Sequence, residues 1–338
     1  MIVHFSKQVA IALLVTLTVG LSAANAQTET QPKPSADPLS WQGNLEAQDV
    51  TESSGLARSS IIPDAFWTMN DSGNGTDLFM FSEKGKSLAR CEMKGARNID
   101  WDAMSDWQSG DDHFIVVADT GDNLRVRTEY RIYFAKEPKV KPGKTKIYKK
   151  SAPAVGVKFR FDAGPTNCEA IGIPPGTDEV FFVEKQFAET NMQHPPAIFR
   201  LRLPAKDLAE RLAMKRKVRA GRLPDVLVAE KVAEFPVYGV TGMAFSPDGK
   251  RVVIRNYLEM RLFEKQASSD GENKTQDWAD VFKNQEPVVL PMPLQQQGEA
   301  ICFSSDSQSV FVTSEKAKQP IWKVNIDGLR KQMLDDDQ

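Results

Sequence analysis

The sequence predicts an all-β protein that folds as a single β-propeller of about five four-stranded blades. Three observations support this prediction: a short motif recurs along the chain, each copy is followed by the same strand pattern, and about 300 residues suit one large all-β domain. The motif opens a strand with a small or acidic residue, then Ala or Gly, then a large aliphatic residue. Its copies are Ser54-Gly55-Leu56, Asp102-Ala103-Met104, Glu169-Ala170-Ile171, Thr241-Gly242-Met243 and Glu299-Ala300-Ile301.

A β-branched and aromatic run follows each copy and predicts the second strand of each blade. The runs are apolar at consecutive positions, which is typical of strands packed between neighbouring sheets. Third strands follow, and outer strands are predicted at residues 88–93, 157–161, 226–235 and 287–290. Residues 136–150 are interpreted as a solvated connection to the second of these outer strands. The second-strand runs begin at Phe66, Phe114, Val180, Val252 and Val310.

The fifth repeat ends after its third strand, so its outer strand must come from another part of the chain. Residues 39–47 are predicted to supply it and so to close the ring, which removes the exposed edge that a propeller must avoid. A sixth blade would fit if the long spacers between the second and fourth copies contain a degenerate one. Residues 205–222 and 277–284 carry apolar side chains at helical spacing and are predicted as short helical insertions.

The first 26 residues have the pattern of a secretory signal peptide. Lys7 precedes an uncharged apolar run over residues 9–21, and Ala24-Asn25-Ala26 is a small-residue cleavage site. Residues 27–38 are predicted to be a disordered leader, which leaves 39–338 for the propeller domain. Because the apolar run is short for a bilayer span, we expect no membrane anchor and a secreted or periplasmic protein.

The composition excludes several classes of function. The chain has 43 Lys and Arg against 45 Asp and Glu, a net charge of −2, which predicts no nucleic-acid partner. Its three cysteines exclude a disulfide scaffold, and their odd number leaves at least one unpaired thiol. Only His113 and His194 remain after signal removal, and neither lies at a position where the site is expected. A histidine-rich zinc site or a Ser-His triad is therefore not predicted. We expect a monomer.

Propeller geometry brings the polar residues of the repeats to one mouth of the central channel. The first strand of each blade starts at the face where the second strand ends, so residues at these two positions converge. Clustered carboxylates cannot all stay ionised unless cations or protons neutralise them. We therefore expect cations or protons at this mouth. The residues that open first strands are Glu52, Asp100, Asp102, Glu169 and Glu299; those that close second strands are Asn70, Asp71, Asp119, Asp122, Asn123, Glu184, Lys185, Arg255, Asn256, Glu315 and Lys316.

One interpretation of this mouth is a calcium-type metal site. Ca²⁺ takes six to eight oxygen ligands from carboxylates, amides and water, and the mouth offers such groups. The segment from Asp119 to Asn123 also has the glycine and oxygen-ligand composition of a metal loop. The candidate ligands are Asp71, Asp102, Asp119, Asp122, Glu169 and Glu299.

Two further interpretations stay open. The mouth could hydrolyse an ester, phosphoester or lactone, with Asp102, Glu169 and Glu299 as the acidic catalytic groups and with Lys185 and Arg255 holding an anionic part of the substrate. Alternatively, the acids and bases pair with one another and only hold the blades in register.

The same residues resemble a group of bacterial exported β-propellers placed near the TolB-like propellers. The likeness covers residues 54–323 and rests on Ser54-Gly55-Leu56-Ala57, Asn70-Asp71-Ser72-Gly73, Asn98 to Asp102, Gly121-Asp122-Asn123, Glu169-Ala170, Ser246-Pro247-Asp248-Gly249 and Gln297-Gly298-Glu299-Ala300. More distantly, the sequence is similar to the gluconolactonase and paraoxonase type of calcium hydrolase and to phytase-like esterases. That resemblance implies a six-bladed ring and acidic residues at a channel mouth, although the full ligand sets of those enzymes are not matched residue by residue.

The sequence therefore predicts an exported propeller with a Ca²⁺-binding acidic mouth that hydrolyses an ester or phosphoester of a small or anionic substrate. The alternative is a non-catalytic propeller that binds a protein, peptide or glycan on the same face. An enzyme should show a deep pocket with unpaired carboxylates at the mouth. A docking module should show a flatter mouth, acids held in salt bridges and apolar residues on the rim.

Overall fold

The computed structural model describes residues 37–140, 148–188, 194–213, 226–266 and 276–336. The predicted signal peptide and all but the last two residues of the predicted leader lie outside this range, so both stay predictions. The same holds for the part of the first helical insertion that follows residue 213.

The described residues form twenty strands in five four-stranded blades. The predicted closing strand is β1 (Leu39–Asn44), which pairs antiparallel with the last strand of the chain. The first blade contains β2 (Ser53–Arg58), β3 (Ala65–Asn70), β4 (Asp77–Ser82) and β5 (Ser87–Lys94); the second contains β6 (Trp101–Ser109), β7 (Asp112–Asp119), β8 (Tyr130–Lys136) and β9 (Tyr148–Phe161); the third contains β10 (Cys168–Gly172), β11 (Glu179–Glu184), β12 (Ala197–Arg202) and β13 (Leu227–Glu234); the fourth contains β14 (Gly242–Phe245), β15 (Arg251–Arg255), β16 (Glu259–Glu264) and β17 (Val288–Pro291); the fifth contains β18 (Gly298–Phe303), β19 (Ser309–Ser314), β20 (Pro320–Asn325) and β1.

The hydrophobic core is divided into five layers, one between each pair of neighbouring blades. Trp67 and Trp101 belong to the layer between blades one and two, and Trp107 and Phe182 to the next. Two further layers join blades three, four and five. The fifth layer packs Phe311 of the last blade against Phe66 of the first, with ring centroids 4.7 Å apart. Because this layer joins the last blade to the first, the ring closes with five blades, as the repeat predicts.

The outer strand of the second blade is longer than predicted. β9 has 14 residues and starts at Tyr148, within the segment interpreted as a solvated connection. It pairs antiparallel with β8, and it also pairs parallel with β5 and β13 of the two neighbouring blades. The longer strand supplies hydrogen-bond partners to the edges of β5 and β13, which would otherwise be exposed. It joins the first three blades into one continuous sheet.

Three helices accompany the strands within the described ranges. The two predicted insertions contain α1 (Ala205–Ala213) and α2 (Trp278–Asn284), and Trp278, Val281 and Phe282 of α2 are buried against blades three and four. The sequence analysis missed α3 (Ile326–Asp336), which packs Ile326 and Leu329 on the layer between blades four and five. Among the described residues, no helix is long and apolar enough to cross a membrane. Cys91, Cys168 and Cys302 are all buried thiols.

Candidate functional site

A β-bulge at the start of the first strand explains why the recurring motif begins with an acid. In the second blade, Trp101 lies opposite Asp119 and Ala103 opposite Ala118, so Asp102 is the extra residue. Glu169 and Glu299 occupy the same position in blades three and five. A bulge re-aims the side chain of its extra residue, and here the three acids lie at one mouth of the channel. The first blade has a bulge over Ser54-Gly55 instead, and the fourth pairs Gly242 directly with Arg255.

Three aspartates meet at the mouth between the first two blades. One carboxylate oxygen from each of Asp71, Asp100 and Asp102 lies within 4.8 Å of the others. Gly121 forms the wall behind them, since a Cβ at this position would overlap Oδ2 of Asp102 and the carboxylate of Asp100. The missing side chain of Gly121 therefore makes room for the two carboxylates. We call these three residues the aspartate triad.

Asp102 is the member of the triad with the strongest electrostatic perturbation. It is 5% exposed, and within the described part of the chain no donor reaches its Oδ2 atom. Burial raises the pKa of Asp102 well above its ordinary value, and the like charges of Glu169, Asp71 and Asp100 raise it further, while Lys185 opposes them. A buried carboxylate oxygen without a donor favours a bound cation or proton.

A second set of polar groups surrounds Lys185 between blades three and five. Lys185 forms an ion pair with Glu169, and its Nζ lies 3.9 Å from Oε1 of Glu299. Nζ also donates to the Tyr257 hydroxyl at 2.9 Å, and that hydroxyl donates to Glu299 at 3.2 Å. Although burial lowers the pKa of Lys185, the carboxylates of Glu169 and Glu299 outweigh burial and hold it well above its ordinary value. Lys185 therefore stays charged and neutralises the acids from two bulges.

Two other candidate ligands are engaged elsewhere. Asp119 pairs with Arg127 at 2.9 Å, and its Oδ1 accepts from the backbone of Asp100 at 3.2 Å. The carboxylate of Asp122 accepts from the backbone N–H groups of residues 126 and 127, at 3.0 and 2.8 Å, and from the Tyr130 hydroxyl at 2.9 Å. These five contacts of Asp119 and Asp122 shape the loop that carries Gly121, although Oδ2 of Asp119 is buried without a donor among the described residues.

Arg255 lies behind the mouth and is fully buried. Its Nε donates to the carbonyl of Asn256, and its Nη1 donates to Oε1 of Gln295 and to the carbonyl of Ala300, each at 3.2 Å. Burial lowers the pKa of Arg255 to about 9, and the nearby charge of Glu299 raises it only in part. A Cβ at Gly298 would overlap Nη2 of Arg255.

The loops around the acidic mouth carry exposed apolar side chains. These loops connect second to third strands or outer to first strands, so all of them open on the same face as the triad. The residues, which are 42% to 91% exposed, are Ile99, Leu124, Val126, Phe187, Tyr238, Leu258 and Leu294. We call this set the apolar rim.

The central channel is narrow below the acidic mouth and wide at the opposite mouth. The part of the channel below the acidic mouth, lined by Glu169, Glu299 and the motif residues, encloses only about 10 Å³. A cavity of about 400 Å³ opens at the opposite mouth, where Met104, Trp107 and Phe245 surround the ion pair of Arg58 and Asp106 at 2.6 Å.

The structure brings most of the predicted site residues to one mouth but divides them into groups. Asp71 and Asp102 belong to the triad, Glu169, Glu299 and Lys185 form the second set, and Arg255 lies behind them. The sequence analysis placed Asp100 at the mouth without proposing it as a ligand. It noted Gly121 only as part of a metal-loop composition in the segment from Asp119 to Asn123, and it missed Tyr257 and Gln295, whose positions depend on loop geometry.

The fold and the site define a five-bladed β-propeller with an acidic mouth. No protein-family model matches the sequence, and no curated protein matches it. Similar solved structures include a luciferin-regenerating enzyme, with 8% identity over 85% of this chain and 94% of that chain at a TM-score of 0.41. They also include a gluconolactonase from Xanthomonas campestris, with 11% identity over 85% of this chain and 89% of that chain at a TM-score of 0.41. The WD40 repeats of RRP9 match with 9% identity over 85% of this chain and 99% of that chain, at a TM-score of 0.39. At these scores the likenesses carry no argument about activity.

Proposed function

We propose that the acidic mouth binds a divalent cation of the calcium type and that the bound cation supports hydrolysis of an ester or phosphoester. The observation that carries the proposal is the aspartate triad, in which the buried Oδ2 of Asp102 has no donor among the described residues. We propose that the protein does this outside the cytoplasm, in keeping with the predicted signal peptide.

The residues of the triad fit a hard divalent cation. Three carboxylates supply oxygen ligands, and Ca²⁺ completes its shell with backbone oxygens and water. Gly121 leaves the carboxylates of Asp100 and Asp102 close to the backbone of its loop. Burial and, after it, the like charges of Glu169, Asp71 and Asp100 raise the pKa of Asp102, and a bound cation would offset these like charges.

A cation held here would act as a Lewis acid on a substrate oxygen. Within the part of the chain that the structure describes, Lys185 is placed to orient an anionic substrate group, since its Nζ lies between Glu169 and Glu299 at the mouth. Arg255 was predicted to share this role, but it lies behind the mouth and its Nε and Nη1 already donate to the protein, so the proposal uses Lys185 alone.

Calorimetric titration with Ca²⁺ tests the metal site and its ligands. Wild type and the double variant Glu169→Gln/Glu299→Gln are compared with Asp102→Asn. We expect Asp102→Asn to lose binding, whereas the double variant shows whether the second set also contributes ligands. Wild-type protein that binds no Ca²⁺ or Mg²⁺ would refute the site.

Hydrolysis of p-nitrophenyl acetate and bis(p-nitrophenyl) phosphate, with Ca²⁺ or with EDTA, then tests the reaction. A metal-binding protein without turnover would refute hydrolysis of these two ester classes.

A second candidate function is supported by the apolar rim. Leu124, Leu258 and Leu294 are 72% to 91% exposed around an acidic centre, and exposed apolar groups in one patch often mark an interaction surface. The channel below the mouth is narrow and several acids are held in salt bridges, as expected of a docking module. Charge complementarity points to a protein segment with basic side chains flanked by apolar ones.

A pool of labelled peptides centred on lysine and flanked by leucine tests this candidate. A matched pool centred on glutamate is the control, and binding is measured by fluorescence anisotropy. We expect the lysine pool to bind and the affinity to fall at least about tenfold in Leu258→Asp and Leu294→Asp, because each substitution places a charge on the apolar rim. Equal binding of the two pools, or binding that both substitutions leave unchanged, would refute docking at this face.

A further inference from the structure

We propose that Arg255 and Gln295 form a binding site for a small monovalent anion such as chloride, separate from the aspartate triad. Arg255 is 0% exposed, and its Nη2 has no acceptor within the described residues. Nε2 of Gln295 is also buried without an acceptor there. The two groups belong to one contact, because Nη1 of Arg255 donates to Oε1 of Gln295 at 3.2 Å.

The hydrogen bonds of Arg255 fix which atoms remain for a ligand. A guanidinium has five N–H groups and accepts no hydrogen bond. Nε–H and both N–H groups of Nη1 donate to Asn256, Gln295 and Ala300. The two N–H groups of Nη2 are left. Since the guanidinium only donates, its contact with Oε1 also determines that the amide nitrogen of Gln295 is the atom left as a donor.

This pattern selects the size of the anion. A carboxylate or phosphate that binds a guanidinium in the usual bidentate manner uses two adjacent nitrogens. Nη2 of Arg255 can form such a pair with Nε on one edge of the guanidinium or with Nη1 on the other. Both Nε and Nη1 already donate to the protein. Only a single nitrogen is available, which suits a compact, spherical anion.

Charge favours an anion over a neutral ligand at this position. No carboxylate within the described ranges lies within 4.0 Å of the Arg255 guanidinium, whereas two lie within this distance of Nζ of the neighbouring Lys185. The groups that face Arg255 electrostatically are Glu299 and Tyr257. The Arg255 guanidinium therefore has no ion-pair partner among the described residues, and its buried positive charge favours an anion.

Thermal unfolding in two salts of equal ionic strength tests the anion site. We expect the Tm of wild type to rise by about 2–5 °C in sodium chloride relative to sodium gluconate, and to saturate with chloride concentration. Gln295→Glu places a carboxylate beside Nη1, so its Tm in gluconate should rise and its chloride increment should disappear. Lys316→Gln is the matched control, because Lys316 is an exposed cation at the same mouth that contacts Gln296; it should keep the full increment.

Equal Tm values of wild type in the two salts would overturn the proposal, as would a full chloride increment in Gln295→Glu. A crystal soaked in bromide gives an independent readout if that variant does not fold. An anomalous peak in contact with Nη2 of Arg255 is expected, and a bromide-saturated crystal without that peak would overturn the site.

Discussion

Replacing Asp102 by Asn should have opposite effects on the stability of the metal-free and the calcium-bound protein. The substitution keeps the size of the side chain and removes its negative charge. In the wild type this charge is buried beside Asp71, Asp100 and Glu169, and Oδ2 has no donor within the described residues. The Asn amide would instead present N–H groups to the neighbouring carboxylates.

The size of the effect follows from the buried oxygen. A buried polar group without a partner costs about 1–3 kcal/mol, and more when charged. We therefore expect Asp102→Asn to raise the free energy of unfolding in EDTA by about 1–3 kcal/mol at neutral pH. At this size of domain each kcal/mol shifts Tm by roughly 2–4 °C. Calcium at a hundred times its Kd should stabilise the wild type by about 2.7 kcal/mol and leave the variant unchanged.

The advantage of the variant in EDTA should depend on pH in a definite direction. The pKa of Asp102 is raised in the folded protein, so the native state keeps a proton that the unfolded chain has lost. The metal-free wild type therefore loses stability as pH rises from about 4, the ordinary carboxyl pKa, towards the raised folded pKa. Asp102→Asn lacks this contribution, so the difference between the two proteins should be small near pH 4 and larger at pH 7.

Differential scanning calorimetry at both pH values, with EDTA and with Ca²⁺, measures these quantities. Asp122→Asn is the control, because its carboxylate accepts hydrogen bonds that shape the neighbouring loop; it should lower Tm in both conditions and keep a calcium increment. If Asp102→Asn is less stable than wild type in EDTA, Asp102 is not the source of unfavourable burial. If Asp102→Asn keeps the calcium increment, the cation binds elsewhere.

Three other substitutions or deletions test the remaining contacts. Gly121→Ala should weaken Ca²⁺ at least about tenfold in calorimetric titration, because its Cβ would displace the Asp102 carboxylate; unchanged affinity would contradict the proposed wall. Lys185→Met should lower the free energy of unfolding in urea by about 3–5 kcal/mol, since it leaves Glu169 buried without its cation, and a loss below about 1 kcal/mol would show that water replaces the ion pair. Deletion of β1 (Leu39–Asn44) should expose the edge of β20 and produce oligomers in light scattering; a monomer would show that β1 is dispensable.

The fold could be predicted from the sequence because one local device recurs. The bulge at Asp102, Glu169 and Glu299 places an acid, then Ala, then an aliphatic residue at the start of a first strand. Blades one and four carry the related Ser54-Gly55-Leu56 and Thr241-Gly242-Met243 at the same position, so counting the copies of the motif counts the blades. The residues of α3 carried no comparable marker. The length of β9 was underestimated because its parallel pairing with neighbouring blades is not part of the repeat.

The candidate site was less predictable, because its partners come from loops that do not repeat. Arg127 reaches back to Asp119 from the loop between β7 and β8, and Tyr257 meets Lys185 from a different blade. Neither position is equivalent to a motif position, so periodicity could place acids at the mouth but could not tell which of them a cation already neutralises. That distinction separates Asp102 from Glu169.

The asymmetry of the mouth follows from the blade that departs from the repeat. Bulges in blades two, three and five direct acids to the channel, and Lys185 neutralises the acids of blades three and five. Blade four has no bulge at this position, and its second strand ends in the buried Arg255. Asp102 in blade two is therefore the bulged acid without an ion-pair partner among the described residues, while Arg255 in blade four is a buried cation without one. Because the two charges have opposite sign and separate partners, a cation at one and a small anion at the other would each relieve a different burial cost, and a substitution at one site should leave the ion dependence of the other in place.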